Sequence, residues 1–368
     1  MRKILLAIFV AVALPAAAQV LTTEVWLGPL DMAEGRFVVG EMKNISNHPG
    51  YDNQPAFEAD GKSVLFSSEV DGVAETGLGI QAVRYDVGTG RITKLTKVRG
   101  FSPTPDARNI MTLREGTVWL YDLERNRSRA LLPEVKTAGY FTRMNDEQWI
   151  LFMNEEQRHI AIWDGRTLNR IVPNAVTAPY RIPGEQAVTF VTQEGDAKKL
   201  MRMELDGARA SVLATIPFKT GGHHAWTSRG TLLMASGNTI HEWNPAKPDE
   251  WPVVHRFREH ALQGITRIAL SPAGDRIAVV SVPDDETVLR ETRAARNKAF
   301  AASVAKFPGV SYERTINELA IDGETATESG RWTRRWGANR LGGDYAVTWR
   351  KTISGNGTPV WVVVRERY

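Results

Sequence analysis

The sequence predicts a mainly β fold: a six-bladed β-propeller followed by a small α+β region. Three observations support this prediction. A unit of four short strands recurs along most of the chain, an incomplete last unit is matched by two spare strands near the N-terminus, and a helix and longer strands follow Pro283. The predicted parts are a signal peptide at 1–18, the propeller at 19–283 and the α+β region at 284–368.

The first residues have the pattern of a secretory signal peptide. Arg2 and Lys3 precede an apolar run over residues 4–14, and small alanines follow at 16–18. The run is shorter than the ~20 apolar residues that a membrane-spanning helix needs. We therefore expect a periplasmic or secreted protein without a membrane span. The chain has no cysteine, which excludes a lipid-modified cysteine and disulfides.

The repeated unit is clearest in residues 51–95. The stretch YDNQPAFEADGKSVLFSS contains two strands around an Asp60-Gly61 turn, and GIQAVRYDVGTGRITKLT adds two more. Four further copies follow at roughly 40-residue intervals. The second strand of each copy is apolar at consecutive positions, as in WILFM and AVTFV. We therefore expect both faces of these strands to be buried between neighbouring sheets.

The sixth copy, GITRIALSPAGDRIAVVSVP, ends after two strands. Residues 23–46, which include VWLGPLD, read as the third and fourth strands of the same unit. If they complete the last sheet, the sheets close into a ring without an open edge. A β-sandwich or two small β-domains is the alternative.

The element PAFEADGKSVLFSS resembles the repeat of TolB-like and WD40-like (PD40) propeller proteins, in which a Pro-x-Phe-Ser-Pro-Asp-Gly turn precedes an apolar strand. Pro55, Phe57, Asp60 and Gly61 carry the resemblance, and Ala59 departs from the usual proline. It covers residues 22–283 and implies a six-bladed propeller. Such propellers serve as scaffolds, peptide-binding modules and enzyme frames, so the resemblance does not imply one activity.

After Pro283, apolar residues at helical spacing predict one helix over residues 286–306, followed by a four-stranded antiparallel meander. Gly330 before Trp332, and Gly343-Asp344-Tyr345 before Trp349, make this region similar to the C-terminal half of SnoaL-like and DUF4440 domains of the NTF2-like superfamily. The first helices and strands of that fold have no counterpart here. The resemblance implies an open concave face that packs on the propeller or on a second copy of the chain, as in a homodimer.

Loops that lead into the innermost strands line one mouth of a propeller channel. His48, Tyr51, Asp52, His223 and His224 occupy such positions and are the predicted ligand-binding residues. A weaker alternative is a transition-metal site formed by His48, His223 and His224, with Asp52 beside them. Neither a metal nor a cofactor is expected, and because no common catalytic motif is present, no catalytic residue is assigned.

Two functional hypotheses remain open. The first is an exported, non-catalytic binding or scaffolding protein that holds a periplasmic protein, a peptide or a small molecule at the channel mouth. The second is a hydrolase, lyase or isomerase-like enzyme with a histidine-lined channel site or a pocket in the NTF2-like region. Nucleic acid is not an expected partner, because residues 19–285 carry a net negative charge and the net positive charge belongs to the two ends of the chain.

Overall fold

The computed structural model describes residues 23–33, 36–46, 50–69, 79–204, 210–282, 285–304, 309–353 and 359–367. The predicted signal peptide at 1–18 lies outside the described residues. The chain forms two compact units, residues Thr22–Asp285 and residues 286–368. Among the described helices, none combines the length and the apolar character that a membrane crossing requires.

The first unit is built from antiparallel sheets of consecutive strands. Sheet 1 contains β4 (Asp52–Phe57), β5 (Ser63–Glu69), β6 (Ile80–Asp86) and β7 (Ile92–Arg99). Sheet 2 contains β8 (Phe101–Asp106), β9 (Asn109–Arg114), β10 (Thr117–Asp122) and β11 (Arg127–Ala130). Sheet 3 contains β12 (Ala138–Arg143), β13 (Trp149–Met153), β14 (His159–Trp163) and β15 (Leu168–Pro173).

The next two sheets repeat this order. Sheet 4 contains β16 (Tyr180–Arg181), β17 (Ala187–Glu194), β18 (Ala197–Glu204) and β19 (Ala210–Ile216). Sheet 5 contains β20 (His224–Trp226), β21 (Leu232–Ser236), β22 (Thr239–Trp243) and β23 (Val253–Arg256), and a short 3-10 helix (His260–Leu262) follows it. Sheet 6 joins strands from both ends of the unit: β24 (Gly264–Leu270), β25 (Arg276–Val282), β1 (Glu24–Ala33), β2 (Arg36–Val39) and β3 (Lys43–Asn44).

Sheet 6 is completed by the N-terminal strand. β1 pairs antiparallel with β25 from Glu24↔Ser281 to Pro29↔Arg276. The residue before β1, Thr23, also donates its hydroxyl hydrogen to the carbonyl oxygen of Asp52 at the start of sheet 1, at 2.8 Å. The same short segment therefore ties the last sheet to the first, and the chain ends of this unit are held together by backbone pairing.

Apolar clusters lie between each pair of consecutive sheets. For example, Val118 of sheet 2 packs with Leu151 of sheet 3, and Phe190 of sheet 4 packs with Ile160 of sheet 3. Another cluster joins Val280 of sheet 6 to Phe66 of sheet 1. The second strands have both faces buried, as their continuous apolar sequences predict. The sheets thus follow one another in cyclic order, which is consistent with a propeller.

The second unit consists of one helix and one four-stranded antiparallel sheet. The predicted helix begins at Asp285, and the last two positions predicted for it, 305 and 306, lie outside the described residues. The elements are α1 (Asp285–Val304), β26 (Val310–Asp322), β27 (Thr325–Trp336), β28 (Asn339–Ile353) and β29 (Pro359–Arg367). The buried side chains of the sheet include Trp349 and Trp361.

Candidate functional site

The first strands of the sheets are the innermost ones, because β4 contacts both β8 and β24, and β24 contacts β20. Side chains at the beginning of these strands meet in a group that we name the axial cluster: Tyr51, Tyr140, Tyr180, His223 and Arg267. They come from sheets 1, 3, 4, 5 and 6 in turn, and each is half-buried. The cluster is therefore assembled from residues far apart in the sequence.

Arg267 is the centre of the axial cluster. Its Nη2 donates a hydrogen bond to the hydroxyl of Tyr140 at 2.5 Å, and its Nη1 donates to Nδ1 of His223 at 3.2 Å. Sheets 3 and 6 share none of the apolar clusters that the described residues form between neighbouring sheets, so the bond to Tyr140 links two sheets that are not neighbours. Within the described part of the chain, no carboxylate oxygen lies within 4.0 Å of the guanidinium, and the groups that face it are tyrosine hydroxyls.

His223 is held as a neutral imidazole. Its Nδ1 also lies 2.6 Å from the hydroxyl of Tyr180, which donates to it. Burial, followed by the positive charges of Arg267 and, more weakly, Lys198, lowers the pKa of His223 well below its usual value. Because Nδ1 accepts hydrogen bonds, the ring proton resides on Nε2. His223 is thus a hydrogen-bond donor at neutral pH.

Irregularities in the innermost strands direct these side chains inward. The β12–β13 register shifts between Ala138 and Tyr140, and the β24–β25 register shifts between Ile265 and Arg267. A β-bulge of this kind re-aims the side chain that follows it. Just before His223, Gly222 has φ +84, and a Cβ there would press on Val191 at 3.1 Å, so glycine is required for the approach of the loop.

Similar architecture is found among solved structures. The chain is similar to the putative TolB from Agrobacterium tumefaciens, with 11% identity and a TM-score of 0.52 over 72% of this chain and 99% of that one. This chain has a β-propeller fold. It is also similar to a gluconolactonase from Xanthomonas campestris, with 12% identity and a TM-score of 0.48 over 70% of this chain and 95% of that one. No family model and no curated protein matches the chain.

Of the five predicted ligand-binding residues, the propeller brings Tyr51 and His223 into the axial cluster. His48 lies outside the described residues. His224 is fully buried: its Nδ1 contacts the carbonyl of Gly222 at 2.9 Å, and its Nε2 contacts the hydroxyl of Thr189, also at 2.9 Å. Both ring nitrogens are therefore engaged within the protein, and His224 does not belong to the axial cluster.

The engagement of both His224 nitrogens also bears on the alternative metal site, because an imidazole needs a free nitrogen to coordinate a metal ion. Burial lowers the pKa of His224 to about 4, so the ring is neutral, yet neither nitrogen is available. Among the residues that the structure describes, no group of three or more His, Asp or Glu side chains could hold a metal ion.

Asp52, the remaining predicted residue, is also fully buried and does not line the axis. Burial, reinforced by the carboxylates of Glu24 and Glu69, raises the pKa of Asp52 to about 8, although Ser68 and Lys94 oppose the shift. Asp52 sits where Thr23 ties the N-terminal strand to sheet 1. The bond from Thr23 goes to the backbone carbonyl of Asp52, and the carboxyl group is buried beside this junction of sheets 6 and 1.

Asp52→Asn is expected to flatten the alkaline pH dependence of stability. An acid with a pKa raised from its unfolded value of 3.8 to about 8 loses its stabilising contribution as pH rises between those values. Wild-type protein should therefore lose stability from pH 7 to 8 with a slope of at most about 1.4 kcal/mol per pH unit. Thermal unfolding at pH 7 and pH 9 measures this loss of stability. The loss should be smaller in Asp52→Asn than in the wild type.

Asp164→Asn is the matched control for this measurement. Asp164 is exposed, and the backbone N–H and hydroxyl of Thr167 lower its pKa to about 2, so it stays charged over the whole range. Its replacement should shift stability equally at pH 7 and pH 9. An Asp52→Asn variant with the wild-type pH dependence would contradict the assignment.

Sequence reasoning missed Tyr140, Tyr180 and Arg267. A signal was present: the dipeptides Gly50-Tyr51, Gly100-Phe101, Gly139-Tyr140 and Pro179-Tyr180 recur at roughly the repeat period. An aromatic ring after a turn residue thus marks the start of the innermost strand. Arg267 has no such signature, because only the folded structure brings it to Tyr140.

A second concave region lies on the outside of sheets 2 and 3. Its volume is about 590 Å³, and its lining includes Trp163, Arg143 and Asp146. Arg143 is already paired with Asp106 at 3.1 Å and with Asp146 at 2.5 Å. The charge of Arg143 is thus compensated within the protein, in contrast to that of Arg267, so the axial cluster is the stronger candidate site.

Proposed function

We propose that this protein is an exported, non-catalytic binding protein whose six-bladed propeller holds its ligand at the axial cluster. The ligand is a peptide, part of a periplasmic protein or a small molecule. The signal-like sequence at 1–18 supports export to the periplasm or beyond the cell. The apolar clusters between consecutive sheets, including that between sheets 6 and 1, support a closed ring of six.

The observation that carries the binding proposal is the position of Arg267. A charge removed from water is destabilising unless a partner compensates it, and folded proteins normally provide that partner. Here the guanidinium faces neutral tyrosine hydroxyls and a neutral imidazole in a half-buried place. Since no carboxylate of the described residues compensates this charge, an external ligand is its natural partner.

The state of His223 favours binding over catalysis. A general base needs a free nitrogen lone pair directed at the substrate. The Nδ1 lone pair of His223 is occupied by Tyr180 and Arg267, and the other ring nitrogen carries the proton. The alternative enzyme function rests on the perturbed pKa of this histidine, since such groups concentrate in active sites.

For the second unit, we propose the C-terminal half of an NTF2-like fold of the SnoaL or DUF4440 type. One helix against a four-stranded meander supports it. Ile316, Leu341, Val362 and Val364 are exposed apolar side chains of this sheet, and they are compatible with a homodimer contact through the region.

Ligand retention by full-length protein tests the proposed function. Wild-type protein, Arg267→Met and Tyr140→Phe would be incubated with a bacterial periplasmic extract, washed, denatured and examined by mass spectrometry for released molecules. We expect one species retained by the wild type, reduced in both variants and recovered chemically unchanged. Arg276→Met, on an outward part of β25 with 40% of its side chain exposed, is the matched control and should retain it fully.

Two results would contradict the binding function. Equal retention by wild type and both axial variants would remove the axial cluster from consideration. Conversion of the retained species during incubation, with loss of conversion in His223→Ala but normal folding, would instead establish the enzyme alternative.

A further inference from the structure

The axial cluster also specifies the chemistry of what it binds, and this inference rests on the proposed function. We propose that the ligand is an organic carboxylate whose COO⁻ group is held by Arg267, Tyr140 and His223. The three side chains belong to sheets 6, 3 and 5, so the carboxylate would lie where those sheets converge.

Arg267 supplies the charge and the geometry. Its planar guanidinium has five N–H donors, of which the hydrogen bonds to Tyr140 and His223 use two. A carboxylate accepts two parallel N–H bonds from such a fork, and bonds of this charge-assisted type are about twice as strong as neutral ones. Three N–H donors therefore remain in the plane of the positively charged guanidinium, and a carboxylate can accept from two of them.

The groups beside Arg267 are also hydrogen-bond donors. The Tyr140 oxygen accepts from Arg267, which leaves its own O–H free to donate. His223 accepts at Nδ1 and so donates from Nε2. Donors on three sides require a ligand group that only accepts, and an ionised carboxylate is such a group. Amines and other cations do not satisfy this set of donors, and a neutral amide offers one acceptor oxygen and no negative charge.

Charge and surroundings favour a carboxylate over a phosphate. Lys198 also acts electrostatically on His223, but its ammonium group bonds the backbone carbonyl of Thr220. A phosphate dianion would thus face one available cation. The rings of Tyr51 and Phe101, 5.8 Å apart, and the ring of Tyr180 offer apolar surface for the rest of the ligand.

Calorimetric titration of the full chain with matched probes tests this inference. The probes are benzoate and phenylacetate, their amides, phenyl phosphate, and an acetylated phenylalanine dipeptide with a free or an amidated C-terminus. We expect the carboxylates to bind and the amides to fail. If the dipeptide with a free C-terminus binds more tightly than benzoate and phenylacetate, the natural carboxylate is the C-terminus of a peptide. If the two small acids bind more tightly, the ligand is a small molecule.

Three variants connect the binding to the cluster. Arg267→Met should weaken carboxylate binding by about 10- to 100-fold, which corresponds to the loss of charge-assisted hydrogen bonds. Arg267→Lys keeps the positive charge but loses the paired N–H donors. Its affinity for carboxylates should lie between those of the wild type and Arg267→Met. The exposed control Arg276→Met should bind as the wild type does, and circular dichroism establishes that each variant is folded.

Two outcomes would overturn the carboxylate assignment. One is that no carboxylate binds better than its amide at a ligand concentration of about 10 mM, which is high enough to detect millimolar affinity. The other is that Arg267→Met and wild type bind carboxylates equally. If the species retained from periplasmic extract depends on Arg267 but has no carboxylate, this inference fails while the binding function stands.

Discussion

Glu328→Gln is expected to lower the free energy of unfolding of the C-terminal unit by about 3 to 5 kcal/mol, which is the usual result of removing one partner of a buried ion pair. Glu328 is 3% exposed, and its Oε2 lies 2.8 Å from Nε of Arg293 on α1. Gln preserves the shape of the side chain but leaves the Arg293 charge buried without a counter-charge. The effect should therefore be electrostatic rather than steric.

Two further hydrogen-bond donors surround the carboxyl oxygens of Glu328. The hydroxyl of Tyr345 donates to Oε1 at 2.7 Å, and the indole N–H of Trp349 donates to Oε2 at 3.3 Å. Burial, together with the Glu328 acceptor, raises the pKa of Tyr345, so the phenol remains a donor. The network joins α1 to β27 and β28, and its loss should release the helix from the sheet.

Hydrogen-exchange mass spectrometry on the full-length chain measures the effect in the unit concerned. Peptides from β26 to β29 should lose protection in Glu328→Gln, and peptides from the propeller should not. Asp344→Asn is the matched control, since its pair with Arg331 at 3.4 Å is in the same sheet and largely exposed. It should cost less than about 1 kcal/mol. Equal losses in the two variants would refute the buried-pair explanation.

Gly116→Ala is expected to destabilise the propeller by about 3 kcal/mol or more. Glu115 and Gly116 form the two-residue turn between β9 and β10, and both have positive φ, 53° and 73°. A Cβ at Gly116 would lie 1.8 Å from the carbonyl oxygen of Lys136. Backbone strain and steric overlap each contribute about 1 to 3 kcal/mol.

The turn cannot move away freely, because the carbonyl of Gly116 accepts a hydrogen bond from the backbone N–H of Ala138 at 2.9 Å. Gly184→Ala separates the two contributions: Gly184 has φ +76 and no atom within 4 Å of an added Cβ. It should cost only the backbone strain of about 1 kcal/mol. Thermal unfolding compares the two variants, and similar midpoints would show that the contact with Lys136 is not rigid.

The architecture of the propeller was accessible from the sequence because local patterns repeat. Continuous apolar runs such as Val64-Leu65-Phe66 predict a strand buried on both faces, and the strand is buried on both faces in the structure. The pairing of β1 with β25 was predictable because the sixth repeat lacks two strands that residues 23–46 supply. Both predictions need only the pattern of neighbouring residues and the number of strands in each repeat, which the sequence contains.

The candidate site was predicted only in part. Tyr51 and His223 stand at the beginning of innermost strands, so their inward position follows from the repeat. Asp52 and His224, their immediate neighbours, alternate to the opposite face of the backbone and are buried. A one-residue difference in an extended strand changes the face that a side chain occupies, and the β-bulges before Tyr140 and Arg267 shift that alternation again.

The sequence alone therefore determined the repeat, the strand order and the positions from which side chains reach the axis, since these depend on local periodicity. Only the tertiary structure decided that Arg267 meets Tyr140 and His223, residues separated from it by 127 and 44 positions. It also decided that Arg293 and Glu328 share one buried site. Contacts between distant sheets or between a helix and a sheet depend on three-dimensional packing, and no local sequence signal encodes them.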